Sequence, residues 1–199
     1  MCGIAGLIRF DGSAALDGRA IVANMVRDLR HRGPDDEGVQ QLDDATVFGH
    51  TRLSIIDLSS AGHQPMLSPD QMLAVTYNGE IYNFADTRKQ LGERDWQSNS
   101  DTEVILNAYA EWGPECIHHF RGMFAFAIWD RARRCVFLAR DRLGIKPLYF
   151  YKTVGYFVFS SEVRALLASG LVPRRLDRVA LSQYLTYQSV PAPRTLIDG

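Results

Sequence analysis

The chain has 199 residues, 46% of them hydrophobic and 23% charged, and its 22 Lys and Arg against 23 Asp and Glu leave a formal net charge of -1. This is the balance of a globular domain long enough to enclose a core, with no broad basic field to grip a phosphate backbone and hence no nucleic-acid partner expected. No apolar run reaches the ~18 residues of a membrane span, MCGIAGLIRF has no basic region ahead of its short apolar stretch, and three scattered cysteines without CxxC spacing point to a reducing, cytoplasmic compartment rather than a disulfide framework or zinc site.

Residues 2–10 read as a strand that starts almost at the terminus. Ile21, Val22, Met25, Val26 and Leu29 form a helical stripe within 20–32, and Arg32-Gly33-Pro34-Asp35 closes it with turn chemistry. Strand-like runs follow at 45–56 and 72–78, with a loop from Gly62 to Pro69 between them. Asn78-Gly79-Glu80 then reads as a tight turn, because Asn-Gly is a strong turn signal. A helix is predicted over 83–92, weakened at its end by Gly92. Ser100-Asp101-Thr102-Glu103 is a capping-box sequence ahead of a helix whose face carries Val104, Ile105, Ala108, Tyr109 and Trp112. Cys116, His118 and His119 lie close together, but no second ligand pair follows, so they read as a helix turn with one buried cysteine and not as a metal site. Residues 123–130 and 135–140 look like paired strands joined by a polar turn, followed by strands at 148–151 and 156–160 and helices at 161–168 and 178–187. Val190 to Thr195 is proline-rich and reads as a linker. Strands come in adjacent groups, which favours antiparallel sheets with segregated helices, an α+β class. Neither GxGxxG nor GxxxxGK[ST] occurs.

Cys2 is the most informative position. Removal of Met1 would leave a free α-amine on the residue that carries the thiol. Such an amine titrates near ~7.7–8.0 and a thiol near ~8.5, so the amine can take the thiol proton as an internal base. His31, His50, His63, His118 and His119 fit no Cys–His protease signature. From its position alone Cys2 reads equally well as a buried cysteine in an edge strand. Gly3 would let a substrate approach the backbone beside the thiol; Gly3 and Gly6 could also mark an irregular strand.

Seven blocks stand in a recognisable order: Cys2-Gly3-Ile4-Ala5-Gly6, His31-Arg32-Gly33-Pro34-Asp35, His50-Thr51-Arg52-Leu53-Ser54-Ile55, Gly62-His63-Gln64-Pro65-Met66, Tyr77-Asn78-Gly79-Glu80-Ile81-Tyr82-Asn83, Ser100-Asp101-Thr102-Glu103 and Asp141-Arg142-Leu143-Gly144-Ile145-Lys146-Pro147-Leu148-Tyr149. In this combination the chain resembles the class II glutamine amidotransferases, and among them the glutaminase half of glutamine-hydrolysing asparagine synthetases. The resemblance implies a four-layer αββα sandwich of two antiparallel sheets, the N-terminal-nucleophile hydrolase fold, over residues 1–187. Residues 188–199 would begin a linker to a C-terminal synthetase domain or subunit.

The substrate implied is L-glutamine, hydrolysed to L-glutamate and ammonia through a Cys2 thioester. Asn78 and the Gly79 N–H would hold the oxyanion. Arg52, Leu53, Ser54, Ile55, Ile56, Glu80 and Asp101 would bind the amino-acid end, Arg52 gripping the α-carboxylate and Asp101 the α-amine. Read without the resemblance, Arg52 is an arginine paired on a sheet face and Asp101 a favourable charge in a helix's first turn. His50, Asp141, Arg142 and Lys146 receive no catalytic role; the charges in 141–149 are expected to be structural links across a fixed turn. No metal or cofactor is expected on this chain, since ATP and Mg belong to the synthetase domain; a homodimer is compatible with the family. Two alternatives stay open: an N-terminal-nucleophile amidase acting on another amide, and a non-catalytic docking module.

Overall fold

The computed structural model describes residues 1–10 and 16–199. The chain runs through β1 (Gly3–Arg9), α1 (Gly18–Leu29), β2 (Asp36–Gln41), β3 (Thr46–Arg52), β4 (Met66–Leu67), β5 (Leu73–Ile81), α2 (Phe84–Gln90), α3 (Asp101–Trp112), β6 (Gly122–Asp130), β7 (Cys135–Arg140), β8 (Tyr149–Lys152), β9 (Tyr156–Ser160), α4 (Val163–Ala168) and α5 (Arg178–Tyr187). Short 3-10 helices occupy Ser60–Gly62 and Gly113–His119. None of the described helices is long and apolar enough to cross a membrane.

The strands form two antiparallel sheets, ordered β2-β3-β1-β9-β8 and β4-β5-β6-β7. Three apolar clusters show how they stack. Val22, Met25, Val26 and Leu29 of α1 and Leu166 of α4 pack on Leu7, Val47 and Val158 of the first sheet. Ile4, Phe48 and Phe159 on its other face meet Ala74, Ala125, Ala127 and Trp129 of the second sheet. The far face of the second sheet, with Val75, Tyr77, Phe126 and Ile128, is covered by Val104, Ile105, Ala108 and Tyr109 of α3. Helix, sheet, sheet, helix is the four-layer α+β arrangement expected from the motifs. Small residues let the central layers close: a Cβ on Gly6 would lie 2.3 Å from the Phe159 ring.

Local chemistry explains several element ends. Asp177 accepts from the Val179 and Ala180 N–H groups at 2.8 and 3.1 Å and starts α5 at Arg178. Gly92, at φ +75°, takes the left-handed conformation just after α2. The capping box before α3 is only half made. Ser100 Oγ accepts from the Glu103 N–H at 3.4 Å, but the Glu103 carboxylate reaches past Ser100 to the N–H groups of Gln97 and Ser98. Cys116 is fully buried in the second 3-10 helix.

Three sequence expectations need correction, and one strand went unread. Asn78-Gly79-Glu80 is not a turn: β5 continues to Ile81, with Asn78, Gly79 and Glu80 opposite Ala125, Phe124 and Met123. The ladder offered by β6 outweighs the local Asn-Gly preference. The run at 45–56 leaves the sheet after Arg52, and Ile55 is 71% exposed. The loop from Gly62 to Pro69 contains the short strand β4. Strand β2, sequence DEGVQQ, has no apolar alternation and exists because β3 presents an edge to pair with.

Candidate active site

Cys2 sits one residue ahead of β1, a strand bonded on both sides, so its backbone is held by the middle of the sheet. Arg32, from the turn after α1, donates through Nε to the Cys2 carbonyl at 2.9 Å and through Nη1 to Glu162 at 2.8 Å. The thiol faces the start of the loop after β3: the Leu53 N–H points at Sγ from 3.4 Å. Burial pushes the Cys2 thiol above its ordinary value, against the opposing pull of the Leu53 N–H, the chain's N-terminal charge and Arg52. The sulfur is therefore not ionised in advance, and nucleophilic attack would require a base.

In front of Sγ lies a cavity of about 190 Å³, with Arg52, Leu53, Ile55, Ile56, Asn78, Gly79, Glu80, Asp101 and Lys146 on its wall. Of the residues given a site role from the sequence, Ser54 is the one placed elsewhere. Its N–H donates to Asp35 Oδ2 at 2.8 Å, and it lines a shallower groove behind Arg52. A wider groove of about 970 Å³ between α2 and Trp96 is lined by Phe84, Arg88, Lys89 and Glu93, with no cysteine, serine or threonine among its described wall residues.

The free edge of β5 supplies directed donors. Phe124 of β6 gives both its N–H and its carbonyl to Asp141, so the facing pair Gly79/Phe124 is a non-hydrogen-bonded pair. Alternate N–H groups of β5 then point away from β6, beyond the end of β4, which pairs only with Ala74 and Val75. On that edge the Tyr77 N–H donates to Gln64 Oε1 at 2.7 Å and the Ile81 N–H to Asp101 Oδ2 at 3.0 Å. Gly79, between them, aims its N–H at the cavity. A Cβ on Gly79 would stand 2.3 Å from the Met123 carbonyl oxygen, so the strand tolerates only glycine there. Asn78 is 1% exposed, and its Nδ2 is a buried donor with no partner among the described residues.

The two charged groups assigned to the amino-acid end are set differently from each other. Asp101 opens α3, is buried, and accepts from the Tyr77 hydroxyl at 2.7 Å as well as from Ile81. Burial raises its carboxyl above the ordinary range, although both donors work the other way. Arg52 is neither paired with an acid on the sheet face nor a wholly free fork. Nη1 donates to the Ser59 carbonyl at 2.7 Å and Nη2 to the Asp57 carbonyl, so two donors brace the loop that carries Leu53 to Ile56. Asp57 ties the same loop to the start of α3 by accepting from the Asn99 N–H at 3.0 Å. A Cβ on Gly62 would overlap the guanidinium.

Other expectations resolve as structure. The Cβ of a residue replacing Gly3 would sit 2.7 Å from Thr51 Oγ1 and 3.1 Å from Leu29 Cβ, so Gly3 serves the packing of β1 on α1 and not substrate approach. His50 is fully buried with Nε2 on the Tyr77 carbonyl at 3.1 Å, and burial pushes it down to about 3, so it stays neutral. Asp141 holds its turn through backbone N–H groups and not through ion pairs: it accepts from Ile145 at 2.9 Å and Lys146 at 3.0 Å. Sequence reasoning missed Arg32, Gln64, Tyr77 and the Leu53 N–H as parts of the site. Arg32, Gln64 and Tyr77 each lie within a motif block, and turn chemistry absorbed Arg32.

The family model described as "Glutamine amidotransferase domain" matches residues 1–199. Among curated relatives, "Asparagine synthetase [glutamine-hydrolyzing] 3" of Bacillus subtilis is 41% identical over 187 residues, covering 92% of this chain and 30% of that protein. "Putative asparagine synthetase [glutamine-hydrolyzing] 2" of Methanocaldococcus jannaschii is 35% identical over 215 residues, covering 98% of this chain and 41% of that protein. The chain thus spans less than half the length of these relatives. Among solved structures, the glutamine phosphoribosylpyrophosphate amidotransferase of B. subtilis superposes with a TM-score of 0.69 at 20% identity, over 85% of this chain and 44% of that one. At that identity the likeness is one of fold.

Proposed function

The chain belongs to the glutamine amidotransferase domain family, and from that membership and the geometry around Cys2 we propose that it hydrolyses L-glutamine to L-glutamate and ammonia with Cys2 Sγ as nucleophile. The observation that carries the reading is the pair of unspent donors beside the thiol, Asn78 Nδ2 and the Gly79 N–H.

Once Met1 is removed, the Cys2 α-amine takes the thiol proton and Sγ attacks the side-chain amide carbon of glutamine. The carbonyl electrons move onto oxygen, which accepts from Asn78 and Gly79. Donors fixed in advance in a dry site stabilise such an oxyanion by ~2.7–4 kcal/mol each. The intermediate collapses, the carbon–nitrogen bond breaks, and the protonated α-amine passes its proton to the departing nitrogen, releasing ammonia. A γ-glutamyl thioester remains. The same amine then takes a proton from water, the resulting hydroxide adds to the thioester carbon, and the thiol leaves with that proton, giving glutamate. Asp101 and the Glu80 carboxylate receive the substrate ammonium. The remaining Arg52 donors and the backbone of Leu53 to Ile56 hold its carboxylate, which turns binding into orientation.

We extend the proposal to the longer protein. The ammonia would serve ATP- and Mg-dependent formation of asparagine from aspartate in a synthetase part reached through residues 188–199, in line with the names of the relatives. The test of the core reading is a glutamate-release assay on Met1-free protein. Cys2→Ala is expected to abolish release while leaving the melting temperature near that of the parent. Release at the parent rate would remove Cys2 from the mechanism.

A further inference from the structure

Lys146 is a buried cation without an acid beside it. It is 6% exposed and lines the Cys2 cavity. Among the described residues its ammonium has one polar neighbour, Met1 Sδ at 3.4 Å, and a thioether is a weak acceptor. The placement is built, not incidental. Asp141 accepts from the Ile145 and Lys146 N–H groups, while Arg140 donates to the Gly144 and Lys146 carbonyls, each at 2.6 Å. The turn is pinned from both sides, so the Lys146 backbone cannot swing the charge away from the cavity.

Met1 Sδ is five bonds from the Cys2 nitrogen. Excision of Met1 removes the ammonium's neighbour and leaves a new α-amine in the same corner. We propose that Lys146 is a positioning residue for the glutaminase reaction: its charge keeps the Cys2 α-amine unprotonated near neutral pH, so that the amine is ready to accept the thiol proton. This rests on the glutaminase reading above.

Lys146 shares that corner with other charged groups, and its own contribution is the one that its substitution tests. Arg52 of β3 has the same sign and acts in the same direction, since its bonds to the Asp57 and Ser59 carbonyls leave its charge in place. Arg32 is neutralised by Glu162. Glu80 of β5 and Asp101 of α3 would favour a protonated amine, and Asp101 is partly satisfied by the Tyr77 hydroxyl. Asp57 in the loop is turned to Ser59 and Asn99, and the Cys2 thiol is neutral before attack. Two unit charges on the order of 6–9 Å apart at an effective dielectric constant of ~20 shift a pKa by ~1–2 units. Removing the cation therefore raises the amine pKa and moves the acid limb of the pH–rate profile upward.

The experiment compares Met1-free parent, Lys146→Met and Lys146→Arg. The α-amine is titrated by pH-dependent acylation of the N-terminus read by peptide mass spectrometry, and kcat/KM for glutamine is measured across the same pH range. Lys146→Met is expected to raise both midpoints by ~1–2 units and Lys146→Arg to leave both near the parent. Lys146→Gln is titrated alongside, so that a fold lost in the methionine variant does not end the test. Unchanged midpoints in folded Lys146→Met or Lys146→Gln overturn the proposal even if kcat falls, since they reduce Lys146 to a packing role. The acylation titration needs no turnover: a moved amine midpoint in protein that releases no glutamate supports the effect of Lys146 on the amine and rejects the glutaminase reading instead.

Discussion

The backbone of Leu53 faces the Cys2 sulfur with both its polar groups, the N–H at 3.4 Å and the carbonyl oxygen at 3.7 Å. The same sulfur can thus be a weak donor as a thiol and an acceptor as a thiolate without moving. The loop after β3 registers the Cys2 thiol as well as lining the cavity. Its own position depends on Arg52, which explains why two of that residue's donors are turned inward and not toward substrate.

Asn78→Ala separates chemistry from folding. Its Nδ2 has no partner among the described residues, so the substitution sacrifices none of their hydrogen bonds from that atom in the resting fold. We expect kcat for glutamine to fall by ~10²–10³-fold with little change in KM, and the melting temperature to move less than for a typical core truncation. Steady-state kinetics beside a thermal melt checks both; an unaltered kcat would take Asn78 out of the oxyanion site.

Asp101→Asn is expected to weaken glutamine binding and yet not to weaken the fold. A carboxyl whose pKa is raised in the folded state makes its ionised form a burden, present above the unfolded pKa of ~3.9. A neutral amide oxygen can still accept from the Tyr77 hydroxyl and the Ile81 N–H. The variant should show a KM raised by at least tenfold and an equal or higher urea midpoint at neutral pH. A clear drop in that midpoint would show Asp101 to be mainly a structural anchor.

Arg32→Met should release the Cys2 carbonyl and leave the partly buried Glu162 with only His31 at 2.9 Å and Arg164 at 4.0 Å, since the Arg32 and Glu162 side chains are 9% and 21% exposed. Removing one member of a buried pair costs ~3 kcal/mol, and the screening available to Glu162 places this case below that. We expect lower stability and slower alkylation of Cys2 by a glutamine-like electrophile. Glu162→Gln should affect stability similarly but retain most of the alkylation rate, because Arg32 Nε still holds the carbonyl.

Asp141 predicts the acid limit of the turn that bears Lys146. Burial opposes its ionisation, but the N–H groups of Lys146, Ile145, Phe124 and Leu143 outweigh it and hold the carboxyl below the ordinary range. A depressed folded pKa gives stability that is present above the unfolded value of ~3.9 and lost as pH falls through the folded one. Urea unfolding at falling pH should therefore lose stability more steeply in the parent than in Asp141→Asn, which starts lower at neutral pH. Parallel curves would place the acid sensitivity elsewhere.

What could be read from the sequence was what local chemistry decides. Ser100 starts α3 wherever the rest of the chain goes, and the apolar stripe of α1 needs only a sheet to lie on. The paired strands β6 and β7 announced themselves because their turn is short and polar. Strand β2 could not be read, since DEGVQQ becomes a strand only when β3 lies beside it. Asn78-Gly79 misled for the same reason in reverse: a two-residue turn preference competes with a nine-residue strand whose partner begins some forty residues later. The site's membership came from motif blocks whose joint occurrence is specific. Its wiring did not, because Arg32 meets Cys2 and Glu162 at separations of 30 and 130 residues.

Gly3 is already inside the sheet, with β3 on one side and β9 on the other beyond it. Polypeptide placed ahead of Cys2 consequently starts along the wall of the cavity, where Met1 lies. On the glutaminase proposal, an affinity tag fused at that end, or the scar of a protease used to trim one, would crowd that cavity and acylate the proposed base. Recombinant preparations should carry their handle at the other terminus, and a silent batch is first to be weighed for an uncut leader.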